Sequence, residues 1–400
     1  MGDLPKKDAP KDQYPILSKQ IIDHAAQILT VPGAKGFEEF QRQVDEWETQ
    51  GIVVRYPKGT VCDIIDQKKG DGGFSLQPIN KEENGKALYY GAGGMGSIPR
   101  SIAQSGGTFN VEQDVWVSPS NGLKYQKGEK QNWKVQANGK TLGLFDRVVI
   151  AHNGKCADRL MSKAPTKKLH SLLRTNFAPS VPKGGGSKMT LNSIYSLSIA
   201  VNTKSSISEA LPKDSFVCGF IKNEPTLRFL SCDTRKHDNN NGDENPVEVW
   251  TVLTSAAFGK KHKGPQENLP LETVSNVTSL MLNAVERSLG LQADTLSEQV
   301  LESRLQLWGA AVPLNVWTGS DSDSSFDTQG FVYDAEFGAG VCGDWLLEPS
   351  IGGAWESGRR LAKHLSQEKS KGSLRSVGLP PDGQFAVSAE AGKAGIGALR

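Results

Sequence analysis

The chain has 400 residues, enough for two packed domains, and is 37% hydrophobic with Gly 43 and Pro 20, a turn-rich composition. Its net charge of +2 gives no electrostatic case for nucleic acid or an anionic membrane. No run of about 18 apolar residues predicts a spanning helix, Met1 to Tyr14 lacks the apolar core of a secretory signal, and five scattered cysteines (Cys62, Cys156, Cys218, Cys232, Cys342) without a Cys-x-x-Cys pair fit a reduced, soluble intracellular protein.

In chain order, the polar, Pro-containing residues at the start read as a loose tail. A helix is expected from Gly36, with Phe37, Phe40, Val44 and Trp47 on one face and Gly51 as its stop. Strands are predicted at Ile52–Tyr56 and Ala87–Tyr90, the second running into Gly91-Ala-Gly-Gly-Met-Gly96 and a helix through Ile98 and Ile102. Further strands are expected over 109–118, 131–136 and 141–144, the last two joined by Asn138-Gly139, a strong hairpin signal. The β-branched run Arg147–Ala151 reads as a strand buried on both faces. Met189–Val201 alternates, with Leu191, Tyr195, Leu197, Ile199 and Val201 against Thr190, Asn192, Ser196 and Ser198, which predicts a half-buried antiparallel strand. Strands over 216–221, 227–231 and 247–255 continue that sheet, and Thr273–Leu289 reads as an amphipathic helix ended by Gly290. Residues 366–400 are Ser/Gly/Ala/Lys-rich and are expected to be disordered.

Two segments carry candidate chemistry. Gly343-Asp344 follows a strand end and precedes a helix predicted to start near Ser350. A carboxylate after a glycine can approach ligand hydroxyls, and the helix start offers free N–H groups and partial positive charge; an ordinary capped amphipathic helix is the plainer reading. Gly91–Gly96 formally matches GxGxxG, but it leads into a hairpin-rich meander, so a Gly-rich turn lining a pocket is preferred over a phosphate loop. The six histidines show no ligand spacing, and no metal is expected.

Four blocks resemble the renalase-like branch of the FAD-dependent amine oxidase superfamily. They are Asp23-His-Ala-Ala-Gln27 with the helix to Trp47, Gly93-Gly-Met-Gly-Ser-Ile-Pro-Arg100, the meander from Val111 to Ala151, and the stretch from Leu305 to Leu365 with Trp308 and Gly343-Asp344. The resemblance implies FAD as cofactor. It would place Val115 against adenine, Gly343 and Asp344 by the pyrophosphate–ribityl region, Ile351 near flavin N1, and His24 and Gln27 close to the ring. Met95 and Trp308 would border the substrate. Family members open with a strand–GxGxxG–helix unit; only 22 residues precede Asp23, so that unit is expected to be absent, and Ala25 replaces a family glycine.

The expected fold is therefore α/β (α+β): a truncated, Rossmann-like, NAD(P)-binding-type FAD domain with a mainly antiparallel substrate domain. The expected division is tail 1–22, FAD-binding part 23–164, substrate domain 165–330, FAD-binding C-terminal part 331–366, and disordered tail 367–400. The implied function is hydride transfer from an amine or reduced nicotinamide-like small molecule to flavin, with no acid–base residue evident. A non-catalytic fold remnant acting as a binding module is the alternative, and a substitute nucleotide loop at Gly91–Gly96 a third. Oligomeric state, substrate and electron acceptor stay open.

Overall fold

The computed structural model describes residues 13–33, 35–66, 73–80, 87–105, 107–119, 121–127, 132–237, 246–266, 268–319, 330–367, 374–381 and 383–388. The fold is mixed α/β. In chain order its first elements are β1 (Leu29–Thr30), α1 (Glu38–Thr49), β2 (Val53–Arg55), β3 (Val61–Asp66), β4 (Phe74–Pro78), β5 (Leu88–Gly91) and α2 (Ser97–Gln104). A meander follows, β6 (Leu123–Gln126), β7 (Asn132–Ala137) and β8 (Lys140–Phe145), and then β9 (Val148–Ile150). The middle of the chain forms α3 (Gly154–Met161), α4 (Lys167–Leu173), β10 (Thr175–Phe177), β11 (Met189–Leu191), β12 (Ile194–Asn202), α5 (Ser206–Ala210), β13 (Cys218–Lys222), β14 (Leu227–Cys232) and α6 (Asp233–Lys236). It continues through β15 (Val247–Thr254), α7 (Ala256–Lys261), α8 (Leu271–Ser288), α9 (Thr295–Gln299) and β16 (Val300–Trp308). Last come β17 (Asn315–Gly319), β18 (Phe331–Asp334), β19 (Ala339–Cys342), α10 (Ile351–Ser366) and β20 (Gly383–Val387). No helix among the described residues is long and apolar enough to cross a membrane.

The largest sheet has seven strands in the order β16-β12-β15-β14-β13-β3-β4. It is antiparallel except where β13 runs parallel to β3. Thus β3 and β4, which fall in the stretch expected to form the first domain, extend the sheet expected in the second. Helix α8 covers one face. Its Val277, Met281, Ala284 and Val285 are buried with Leu197, Ile199, Val201 and Trp250 from the strands, as the helical spacing of those residues requires.

Strand β12 departs from expectation. Every residue from Ile194 to Val201 is buried, on both faces. The polar face does not meet solvent because residues 16–24 lie over it. Leu17 and Ile22 pack with Ala200 and Val249, and the amides of Ile16 and Leu17 donate to the Glu302 carboxylate on β16, both at 2.9 Å. Pairing of Ser198 with Thr251, and of Thr251 with Ser231, leaves a buried row of hydroxyls across three strands.

Smaller sheets surround this one. β1-β5-β2 is antiparallel, and it is packed by α1 through Phe37, Phe40, Val44 and Trp47, the face expected from their spacing. β7 and β8 turn at Asn138 and Gly139, both at positive φ (49° and 76°), as a two-residue hairpin requires. No strand forms over 109–118; only Val117 makes an isolated bridge, to Ala137. β9 pairs in parallel with β19 at the edge of the β18-β19-β9 sheet, so Val149 is exposed rather than buried on both faces. The expectation of disorder over 367–400 is corrected across 374–381 and 383–388; residues 368–373, 382 and 389–400 lie outside the described ones. There β20 pairs with β17, Val377 exchanges backbone bonds with Tyr333, and Trp317 Nε1 donates to the Gly378 carbonyl at 2.9 Å. Val377 and Phe385, few but large, become buried and anchor the segment.

Candidate functional site

Residues 20–28 cross the polar face of the large sheet without regular structure, so their polar groups need other partners. Asp23 is the main one. Its Oδ1 accepts the Met95 amide at 2.7 Å, and its Oδ2 lies 2.6 Å from Lys236 Nζ and accepts from His237 Nε2 at 3.1 Å. Lys236 is wholly buried at the end of α6 and also donates to Gln27 Oε1 at 3.0 Å. Asp233, at the start of α6, stands 4.0 Å from the same ammonium and accepts the Thr251 hydroxyl at 2.5 Å. The Gln27 amide donates back to the Asp23 carbonyl, and Tyr56 OH donates to the Gln27 carbonyl at 2.9 Å. Tyr90 meets the Tyr56 ring and the edge of His237.

The two carboxylates respond differently to one enclosure. Burial alone would push Asp23 up, but the Lys236 ammonium and then His237 hold it well below the usual carboxylate range. Asp233 is pushed up to about 6, first by burial and also by the charge on Asp23, with Lys236 and Thr251 only partly offsetting this. Asp23, Asp233 and His237 also stand close enough together to ligate a cation. The Lys236 ammonium already supplies positive charge there, and no metal site is assigned.

Next to this network, the His24 and Trp308 rings stack with centroids 5.3 Å apart and 28° between planes. Trp308, the last residue of β16, donates its Nε1–H to the His24 carbonyl at 2.9 Å, fixing the turn of backbone that carries His24. Gln27, His24, Met95 and Trp308 are thus gathered around one short segment. Of the acidic and basic residues that gather them, Asp23 opens the first resemblance block without a role of its own, and Asp233, Lys236 and His237 carry no motif in the sequence. The only local signal is the i,i+3 spacing of Asp233 and Lys236, which is common on any helix.

The Gly91–Gly96 loop spends most of its amides on the protein. Ala92 N donates to the Ile52 carbonyl, Gly94 N to Gly91, Ser97 N to Gly94, and Met95 N to Asp23, all within 3.0 Å, while Gly91 N faces Met95 Sδ. Gly94 needs to be glycine: its φ is +83°, and a Cβ would sit 3.0 Å from Ile21 Cγ2. β5 leads into this loop from an antiparallel sheet. It is a structural turn that seats Asp23, so the substitute-nucleotide-loop idea has no geometric support.

α10 starts where expected, with the Ser350 hydroxyl accepting the Gly353 amide at 2.9 Å. Ile351, its first residue, packs in the same cluster as Leu29, Met95 and Phe40. The helix start is pressed onto the protein: a Cβ on Gly352 would lie 2.8 Å from the Phe40 ring and 3.0 Å from Pro32. Within α10, buried Glu356 pairs with Arg360 at 2.7 Å, and Arg360 reaches the Gly36 carbonyl at 3.1 Å, tying this helix to the turn before α1. Gly343 donates its amide to Ser357 Oγ at 2.9 Å. Asp344 caps its own short turn. Burial pushes its carboxyl up to about 6 although the amides of Trp345 and Asp344 pull it down, and among the described residues no cation pairs with it. Beside Gly343, the buried indole N–H of Trp345 has no acceptor among the described residues. Val115 is half-buried near the meander, two residues before the Val117 bridge, and no described hydrogen bond or ring contact joins it to residues 20–28.

No family model matches the chain. Solved structures similar to it include an oxidoreductase from Methanosarcina mazei, at 11% identity and TM-score 0.47, covering 85% of this chain and 87% of that one. The tetracycline destructase Tet(51) matches at 12% identity and TM-score 0.42, over 88% of this chain and 74% of its own. A putrescine oxidase bound to putrescine matches at 13% and 0.40, over 71% of this chain; the chain spans only 55% of that protein's length. At these levels the likenesses carry no functional argument, and the chemistry has to come from the residues of this chain.

Proposed function

We propose that this chain is an FAD-dependent oxidoreductase of renalase/amine-oxidase type, acting on an amine or a reduced nicotinamide-like compound. One observation carries the reading. The stacked His24–Trp308 pair, Gln27 and Met95 meet at the segment leading into β1, and Leu29 of β1 packs with Met95 and Ile351 at the start of α10. This joins the two chain regions whose sequence resembles flavin-binding blocks.

The residues fit the two halves of FAD unequally. A flat aromatic pair and an oriented amide suit the isoalloxazine side. Asp344, a carboxyl without a cation, and the free indole N–H of Trp345 suit ligand hydroxyl and oxygen atoms beside Gly343. The diphosphate is served less well, because the Gly91–Gly96 loop has turned most of its amides inward, those of Ala92, Gly94 and Met95 onto protein carbonyl and carboxylate oxygens. Each missing charge-assisted bond removes about 1.5–3 kcal/mol, so affinity is expected to be modest.

Bound FAD would supply the hydride-accepting ring. The chain's part is orientation: Trp308 and His24 present a planar wall, and Gln27 is held at both its carbonyl and its side chain. Asp23 and Lys236 are spent on each other, which ties up this carboxylate and ammonium and suits hydride transfer. The test is to add FAD, remove the excess by gel filtration and record the visible spectrum. A flavin band that follows the protein peak supports the reading. A folded, colourless protein contradicts it and fits a remnant without cofactor.

A further inference from the structure

We propose that Lys236 is the positioning residue of the 23–27 segment: its buried ammonium, seated on Asp23 and Gln27 together, sets where these residues lie against the large sheet. What the segment binds rests on the flavin reading above; its placement does not.

The geometry argues this in three steps. First, residues 20–28 have no regular structure of their own, so their position is set by side chains. Second, Lys236 holds both ends of the 23–27 stretch, at 2.6 Å from Asp23 Oδ2 and 3.0 Å from Gln27 Oε1, and Asp23 in turn receives the Met95 amide at 2.7 Å. One ammonium therefore couples the Gln27 amide, the turn carrying His24 and the Gly91–Gly96 loop. Third, the charges around it are unbalanced by design of the fold. Two carboxylates, Asp23 and Asp233, face one ammonium, all buried, with His237 closing the set. Removing the ammonium would leave the buried Asp23 carboxylate without its lysine partner and Gln27 Oε1 without its donor, so the segment would lose its hold on the sheet. A hydrocarbon side chain of similar length would fill the volume but hold neither end.

A neighbouring residue supplies the control. Arg235, also on α6, pairs with Glu248 at 2.7 Å and lies over the Trp250 ring, in contact with neither Asp23 nor Gln27 in any described bond. Lys236→Met and Arg235→Met each break one buried pair of the same short helix. Hydrogen exchange of the 21–28 peptide and FAD titration, both on the full chain, separate them. Lys236→Met is expected to speed exchange across 21–28 at least tenfold and to weaken FAD binding at least tenfold. Arg235→Met is expected to lower the melting temperature while leaving both within about twofold of wild type. Should Lys236→Met fail to fold, Asp23→Asn/Lys236→Gln, which removes both charges, takes its place, with exchange expected at least threefold above wild type. Equal effects of the Lys236 and Arg235 variants on 21–28, or no effect of either, would overturn the proposal. If wild-type protein takes up no FAD, the flavin reading falls, and the exchange comparison alone decides the role of Lys236.

Discussion

The two faces of the seven-stranded sheet are built on opposite principles. Under α8, Leu197, Ile199, Val201, Val252 and Trp250 meet Val277, Met281 and Val285 in a fully apolar layer. On the other face, the same strands bury Ser196, Ser198, Thr251 and Ser231, and the covering segment brings Asp23, Lys236, Asp233 and His237. Burial is equally complete on both, so burial does not distinguish a packing face from a working one. The cost of desolvating charge does: an apolar cluster of equal volume is often as stable as a buried ion cluster, so the charges on this face do not serve packing alone.

The comparison predicts different failures. The largest effect is expected from Lys236→Met, which strands two carboxylates and should cost on the order of 3–5 kcal/mol; chemical denaturation measures it. Met281→Ala, on the apolar face, should cost about 2–5 kcal/mol through the cavity it leaves, with no dependence on pH between 5 and 8. Equal pH dependence in the two variants would erase the distinction between the faces.

Asp233→Asn sharpens it further. Burial pushes the folded-state carboxyl up to about 6, above its ordinary value, so folding favours its protonated form. That contribution is full below the unfolded value and is lost as pH rises from about 4 through 6. Wild type should therefore lose stability relative to Asp233→Asn over this window, by an amount on the order of 3 kcal/mol. Asp23, held low, works in the opposite sense: its contribution is present above the unfolded value and is lost as pH falls below it. Melting temperatures of both proteins from pH 4 to 8 check this. The smallest effect is expected from Ser350→Ala, which removes the α10 cap and should cost about 1 kcal/mol.

What the sequence made legible follows the same division. α1, α8 and the start of α10 are written in local spacing and caps, and Asn138-Gly139 fixes its own turn, because each depends on neighbours within a few positions. His24, Gln27, Met95 and Trp308 could be named through resemblance, and the fold gathers them. Of the residues that gather them, Asp233, Lys236 and His237 could not. Asp23 and Lys236 are joined only by the path of the sheet, and nothing local in either predicts the pairing. The double burial of β12 was hidden for a related reason: its alternation is that of a half-exposed strand, and the cover comes from residues 16–24, far away in sequence. β20 was masked by low-complexity surroundings, although Val377 and Phe385 suffice to anchor it.

A flavin bound to this chain would bring its isoalloxazine ring against the His24–Trp308 pair. Titrating FAD with wild-type protein and with Trp308→Leu, and following flavin fluorescence, asks this directly. Saturable quenching by wild type, with the quenching largely lost in Trp308→Leu while the variant stays folded, is the predicted result. No saturable change, or identical quenching curves for the two proteins, would contradict it.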